Sequence, residues 1–455
     1  MKKLLLLLLL SNNIQAQDNS NIKLLFNWND TTLPKNIYNA SFQEVWGVAI
    51  NDREYAIIGS TAGTHIFDVT NPKSSSLVHF IPGLVQGSLV RHRDYHDYKC
   101  YLYIVGEEGA NKLRIADLSF LPDSAPVVYD SDTLFSRSHN IFIDSARAKL
   151  YTCGGDNNPG VRVFTLADPL DPTEISSISL PENSHDIFVR HDTAFCNDGN
   201  AGLFVIDFTN SANPQIIGSL TTYPDQGYNH SGWINEQSNI YAFADETHGM
   251  DVKVCEVSDL SNITVLSQIN SGVDSNSIAH NLIIKEDFLY ISYFHDGLYI
   301  YNISNPSDPI LTGYYDTYPP PDHDSWRGAW GVYPLLPSGI VLVSDKHYGL
   351  FVFDVTDAIS SIDEQQMLDN SLNIYPNPFD GSIDISYNLS RNEDVTIELF
   401  NILGNKIYSI TKKSKNKGPH HDRLIIKDQK LPKGIYLIKF MANKKVITKK
   451  MMKFD

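Results

Sequence analysis

At 455 residues the chain exceeds one ordinary domain core, so a large unit with a smaller one is expected. Its formal charge of −17 argues against nucleic acid and anionic lipid as partners. The charge is uneven: from Ser371 onward 16 Lys/Arg face 8 Asp/Glu, a net +8, so the preceding 370 residues carry −17 − 8 = −25. That reversal marks a domain boundary.

The chain opens with Met-Lys-Lys, seven leucines (Leu4 to Leu10) and the polar run SNNIQAQ. A basic start, a short apolar run and a small residue at Ala16 read as a secretory signal over residues 1–16, cut before Gln17. Seven leucines are too few to span a bilayer as a helix, and no transmembrane segment is expected. Four cysteines (Cys100, Cys153, Cys196, Cys255) show no zinc-type spacing. Export permits a bridge, and buried free thiols fit equally well.

From residue 40 the chain repeats. Strand-like runs end in a polar residue at Asp68, Asp117, Thr165, Asp207, Glu256, Asn302 and Asp354, at intervals of 42 to 52 residues. Alternating β-branched and aromatic residues between Gly, Asn and Pro are strand signals. Asn-Pro and Asp-Pro stop a strand, because proline lacks a ladder donor and restricts the residue before it. Four strands per unit of this length is the blade of a β-propeller, and seven units predict a seven-bladed ring over residues 17–357. The last unit has only three strands of its own. Residues 22–28 supply an orphan strand and are expected to close the last blade, which removes an exposed sheet edge.

The segments GTHIFDVTNP, AGLFVIDFTNSANP, GLYIYNISNPSDP and GLFVFDVTDA resemble the LVIVD-repeat propellers of the choice-of-anchor B family of bacterial surface proteins. That resemblance implies export and a cell-surface location and supplies no reaction. A linker follows over residues 358–371. Residues 372–455 then alternate strands with Asn, Gly and Lys-rich turns, which predicts a small Ig-like β-sandwich. The motifs YPNP (375–378), LGNKIY (403–408) and LPKGIYLIKF (431–440), with a Lys-rich final strand, resemble the C-terminal sorting domain of the type IX secretion system of Bacteroidota. The resemblance implies the type IX machinery as partner, and an extracellular or outer-membrane location in a Gram-negative bacterium.

Four units begin their first strand with a histidine: His139, His185, His230 and His280. Units one and seven place Trp46 and Trp330 there, each followed by glycine, and unit two has RHRD at 91–94. In a propeller the first strands line the channel, so these residues are expected at its mouth. Two roles compete for the histidines. They could brace each blade by pairing with an acid of its own turn, much as WD-type propellers do. Alternatively, His139, His185, His230 and His280 could hold a divalent transition metal, since neutral imidazole suits zinc, copper, nickel or iron. Trp46, Asp94, Trp233, Asp245, Trp326 and Trp330 are the candidate residues for an extracellular ligand, whether glycan, peptide or protein. There is no GxSxG elbow, P-loop, HExxH helix or dinucleotide fingerprint. The expectation is an exported, non-catalytic binding or scaffolding module; the alternative is a metal-dependent hydrolase or lyase using the His/Asp-rich face.

Overall fold

The computed structural model describes residues 19–156, 160–182, 184–360, 372–389, 392–426, 431–442 and 445–454. The leader expected at 1–16 lies outside these residues, as does most of the linker (361–371). The chain divides into two compact units, with the division between Ala358 and Ile359.

The first unit consists of antiparallel sheets laid down one after another. Their inner strands are Phe42–Ile50, Arg93–Tyr98, Asn140–Asp144, Asp186–Arg190, Asn229–Ile234, Ala279–Lys285 and Ala329–Tyr333. Each inner strand neighbours the next, and Ala329–Tyr333 returns to neighbour Phe42–Ile50, so the described sheets close on themselves in a propeller-like cycle. In the seventh sheet the outer position is taken by Lys23–Trp28, paired with Gly349–Asp354. The short strand Asn19–Ser20 adds a fifth member to the sixth sheet, against Ile310–Tyr315.

Packing explains the composition of each strand. Third strands such as Gly297–Asn302 and Gly349–Asp354 are covered on both faces, so they read as unbroken apolar runs. Outer strands such as Gln215–Leu220 keep much of their surface exposed and carry more polar residues. The apolar clusters lie between successive sheets. One joins Phe42, Ile58 and Phe67 of the first sheet to Leu342, Leu350 and Val352 of the seventh.

The polar residue ending each third strand has a local function. Its side-chain oxygen accepts the backbone N–H two residues on: Asp68 from Thr70 (3.0 Å), Asp117 from Ser119 (2.9 Å), Thr165 from Ala167 (3.2 Å) and Asp207 from Thr209 (2.8 Å). Glu256, Asn302 and Asp354 do the same with Ser258, Ser304 and Thr356. This turn satisfies a donor where the ladder stops and starts the crossing to the outer strand. All four cysteines are free, and Cys153 and Cys196 share one buried cluster.

The second unit has a three-stranded sheet (Asn373–Tyr375, Ser382–Leu389, Gly418–Ile425) and a four-stranded sheet (Glu393–Asn401, Lys406–Lys415, Gly434–Ala442, Lys445–Lys453). Ile383, Ile385 and Tyr387 from one sheet and Val395, Ile397, Ile438 and Phe440 from the other form a single core.

Candidate functional site: a ring of imidazoles above buried carboxyls

At the start of the inner strands, six flat side chains meet in stacked or tilted contacts around the channel. His92 and His139 lie 4.1 Å apart between ring centres, His139 and His185 4.0 Å, His185 and His230 4.2 Å, His230 and His280 4.3 Å, and His280 and Trp330 3.9 Å. Trp330 returns to His92 at 5.8 Å. Local irregularity sets these directions. The register of the inner strands skips between Asn229 and Ser231, Ala279 and Leu282, and Ala329 and Val332. His230, His280 and Trp330 therefore sit in bulges, which re-aim a side chain.

The imidazoles share their burial. Desolvation holds His92, His185, His230 and His280 well below the ordinary histidine range, and neighbouring imidazoles add to the effect on each. His139 is the exception. Burial acts to lower it, but Glu107, 3.2 Å from Nδ1, outweighs that and raises it. Burial likewise works against Glu107, and the His139 contact takes the carboxyl down to about 2. His280 is held by a backbone contact: Nδ1–H donates to the Trp330 carbonyl at 2.8 Å, which leaves the lone pair on Nε2. Glu246 Oε2 lies 3.6 Å from His230 Nε2, and burial raises its carboxyl to about 7. Lys346 caps the ring with Nζ 4.1 Å from the Trp330 ring, and burial lowers it to about 8.

Beneath the ring lies a polar tier from the next positions along the strands. Glu44 accepts hydrogen bonds from the Val45 N–H (3.0 Å) and Asn281 Nδ2 (2.7 Å). Asp94 accepts from the Ile141 N–H (2.8 Å) and Asp186 from the Ile187 N–H (2.7 Å). Burial raises Asp94 and Asp186 to about 7 and Glu44 well above its ordinary value. The space left among these groups is only about 70 Å³.

The far end of the channel is aromatic. Trp46 contacts Tyr333 (4.8 Å) and His96 (4.6 Å), His96 contacts Phe142 (4.9 Å), and Phe188 contacts Phe142 (4.9 Å) and Trp233 (4.6 Å). These rings floor an open basin of about 500 Å³ rimmed by Asp97, Asp144, Arg190 and Glu236.

The four candidate histidines thus come together, joined by His92 and Trp330. The bracing pattern expected of them, one acid per unit from the same unit, holds for His230, which has Glu246 of its own unit 3.6 Å away, and fails for His139. His139 pairs with an acid of the preceding unit, while Asp156 bonds Ser136 and Arg137, and Asp198 accepts from the Glu182 N–H. The six candidate ligand residues occupy separate places. Trp330 is in the ring and Asp94 in the tier below. Trp46 and Trp233 belong to the far basin, because Trp233 lies three residues beyond His230, roughly 10 Å deeper along a strand. Asp245 is fully buried inside its own sheet, 3.0 Å from Lys253 Nζ and 2.9 Å from the Tyr223 hydroxyl. Trp326 stands on a loop, 47% exposed, against His248 at 4.8 Å. Sequence reasoning missed Glu44 and Asp186 as channel residues. Asp186 follows His185 as Asn140 follows His139 and Asn281 follows His280, and that register was the available signal.

With this geometry in place, the fold and ring define a mostly β, propeller-like repeat protein of stacked antiparallel sheets. Residues 182–222 and 277–317 match the LVIVD repeat, each span covering one sheet, and residues 373–453 match the secretion system C-terminal sorting domain. The chain therefore carries LVIVD repeats in a propeller-like unit and a type IX C-terminal sorting domain, and is a secreted or cell-surface module. Among solved structures it is similar to the RRP9 WD40 repeats (8% identity, TM-score 0.52, 73% of this chain and 96% of that one). It is also similar to the Myceliophteria thermophila Cps50 (Swd1) β-propeller domain (11% identity, TM-score 0.52, 73% and 99%). PorZ, titled an essential bacterial surface component of the type IX secretion system of Porphyromonas gingivalis, aligns over 92% of this chain and 60% of its own at 10% identity and TM-score 0.46. No curated protein matches the chain in sequence. Among the described residues no helix is long and apolar enough to cross a membrane.

Proposed function

We propose that the mature protein is a seven-bladed propeller over residues 17–357, closed by residues 22–28, and that it serves as a non-catalytic binding module. In this reading residues 1–16 are a leader, 358–371 a linker, and 372–455 an Ig-like sandwich that engages the type IX machinery. The ligand is an extracellular glycan held in the far basin, with Trp46 and Trp233 among the floor residues.

One observation carries this reading: the channel core is filled to about 70 Å³, whereas the basin opens to about 500 Å³. Ligand sites for small organic molecules run from about 300 to 1,000 Å³, so the basin has the room and the channel does not. Aromatic faces accept the C–H face of a sugar, and Asp97, Asp144, Arg190 and Glu236 ring that floor with groups suited to hydroxyls.

The test is a glycan array probed with mature protein, alongside an Arg190→Ala/Glu236→Ala variant whose melting temperature is checked first. Binding lost in a folded variant supports the reading. Binding that the variant retains in full, or turnover of the bound glycan, overturns it.

A further inference from the structure

His185, His230 and Glu246 converge more closely than any other described metal-ligating trio. Each offers one ligand atom, and the three atoms lie within 4.8 Å of one another. A tetrahedral ion with bonds of about 2.0–2.1 Å holds its ligands roughly 3.3 Å apart, so small side-chain rotations close the triangle. His230 Nε2 and Glu246 Oε2 are already at 3.6 Å.

The surroundings supply what such a site needs. His230 is 3% exposed, and its Nδ1 is buried without a hydrogen-bond partner; Nδ1 of His185 is equally unpartnered. The next ring, His280, is 1% exposed, with an unpartnered Nε2 bearing a lone pair. Buried polar atoms without partners are rare in native proteins, and an ion among these rings would satisfy one nitrogen of each imidazole that it binds. A metal ligand also needs a neutral, oriented imidazole, and the backbone contact of His280 is of the kind that fixes a ligating ring. The other charged groups facing these rings are Glu107 beside His139, Asp186 beneath His185, and Lys346 over Trp330.

We propose that His185, His230 and Glu246 form a three-ligand site for a divalent transition metal of the zinc class, its fourth position left to water. Two nitrogens and one carboxylate oxygen suit zinc, which has no geometric demand beyond four ligands, better than calcium or magnesium, which require oxygen. The site rests on the ring alone and is independent of whether the basin binds a glycan.

The experiment loads chelator-treated mature protein with zinc chloride, measures zinc per chain after dialysis, and repeats the loading with cobalt to read a visible ligand-field spectrum. Stoichiometric zinc and a four-coordinate cobalt spectrum are expected in the wild type. Glu246→Gln, nearly isosteric, and His185→Ala should each weaken zinc at least about tenfold, while His295→Ala, on a loop outside the ring, should not. Circular dichroism melts establish that each variant is folded, and Glu246→Gln keeps the test decisive if His185→Ala is not. Wild-type protein that retains no zinc, or folded Glu246→Gln with unchanged affinity and cobalt spectrum, overturns the proposal.

Discussion

Gly331 of the seventh sheet has no side chain because Glu44 of the first occupies that place: a methyl group there would overlap the Glu44 carboxylate. The converse holds across the same seam, where a methyl at Gly47 would run into the Tyr333 ring. The two Trp-Gly pairs are thus complementary halves of one contact. Gly331→Ala and Gly47→Ala should each destabilise by about 1–3 kcal/mol, the range for overpacking a filled core. Urea denaturation measures this, and an unchanged midpoint in both would show that the seam yields.

Lys253 and Asp245 are both completely buried, 3.0 Å apart. Lys253→Met removes one partner and strands a carboxylate that, among the described residues, keeps the Tyr223 hydroxyl and the Gly227 N–H. The expected cost is about 3–5 kcal/mol. Adding Asp245→Asn should recover part of it, and denaturation midpoints of the single and double variants check both statements.

Asp94 gives a pH dependence of known sign. Burial raises its folded value to about 7 from an ordinary 3.8. Between those values the folded state holds a proton that the unfolded state has lost, so this carboxyl makes stability fall as pH rises from about 4 to 7. Asp94→Asn keeps an acceptor for the Ile141 N–H and removes that slope. It should stabilise by about 2–4 kcal/mol near pH 8 and gain nothing below about pH 4. Urea midpoints across pH decide it; a gain that does not vary with pH would contradict the assignment.

Removing residues through Trp28 should bare the edge of Gly349–Asp354. Exposed edges of this kind recruit other chains, so a lower melting temperature and concentration-dependent association are expected. Light scattering of the truncated and intact proteins at matched concentrations provides the readout.

What the sequence made legible follows from what repeats. The polar residue after each apolar run was visible as a register mark, and the structure gives its cause, a side chain accepting the backbone N–H two residues on. The LVIVD likeness and the sorting tail were readable because their motifs are local. The histidines were readable as a set because each opens an inner strand. Depth along the channel was not readable. Trp46 and Trp233 differ from Trp330 by a few residues of strand rise and by bulges at Glu44, His230, His280 and Trp330, which no local pattern announces. Asp245 looked like a mouth residue because it ends a second strand. Its partner Lys253, on the neighbouring strand, is what takes it inside.

Asn27 Nδ2 donates to the Leu350 carbonyl across 323 residues of sequence. The seventh sheet therefore works as a clasp whose halves are made first and last. Long-range contacts are the slowest to form, since the loop must be closed before the pairing repays it. A chain interrupted before Asp354 carries two open edges, one on its free first strand and one on the unfinished ring. Its resistance to proteolysis should arrive in a single late step, when the two ends meet.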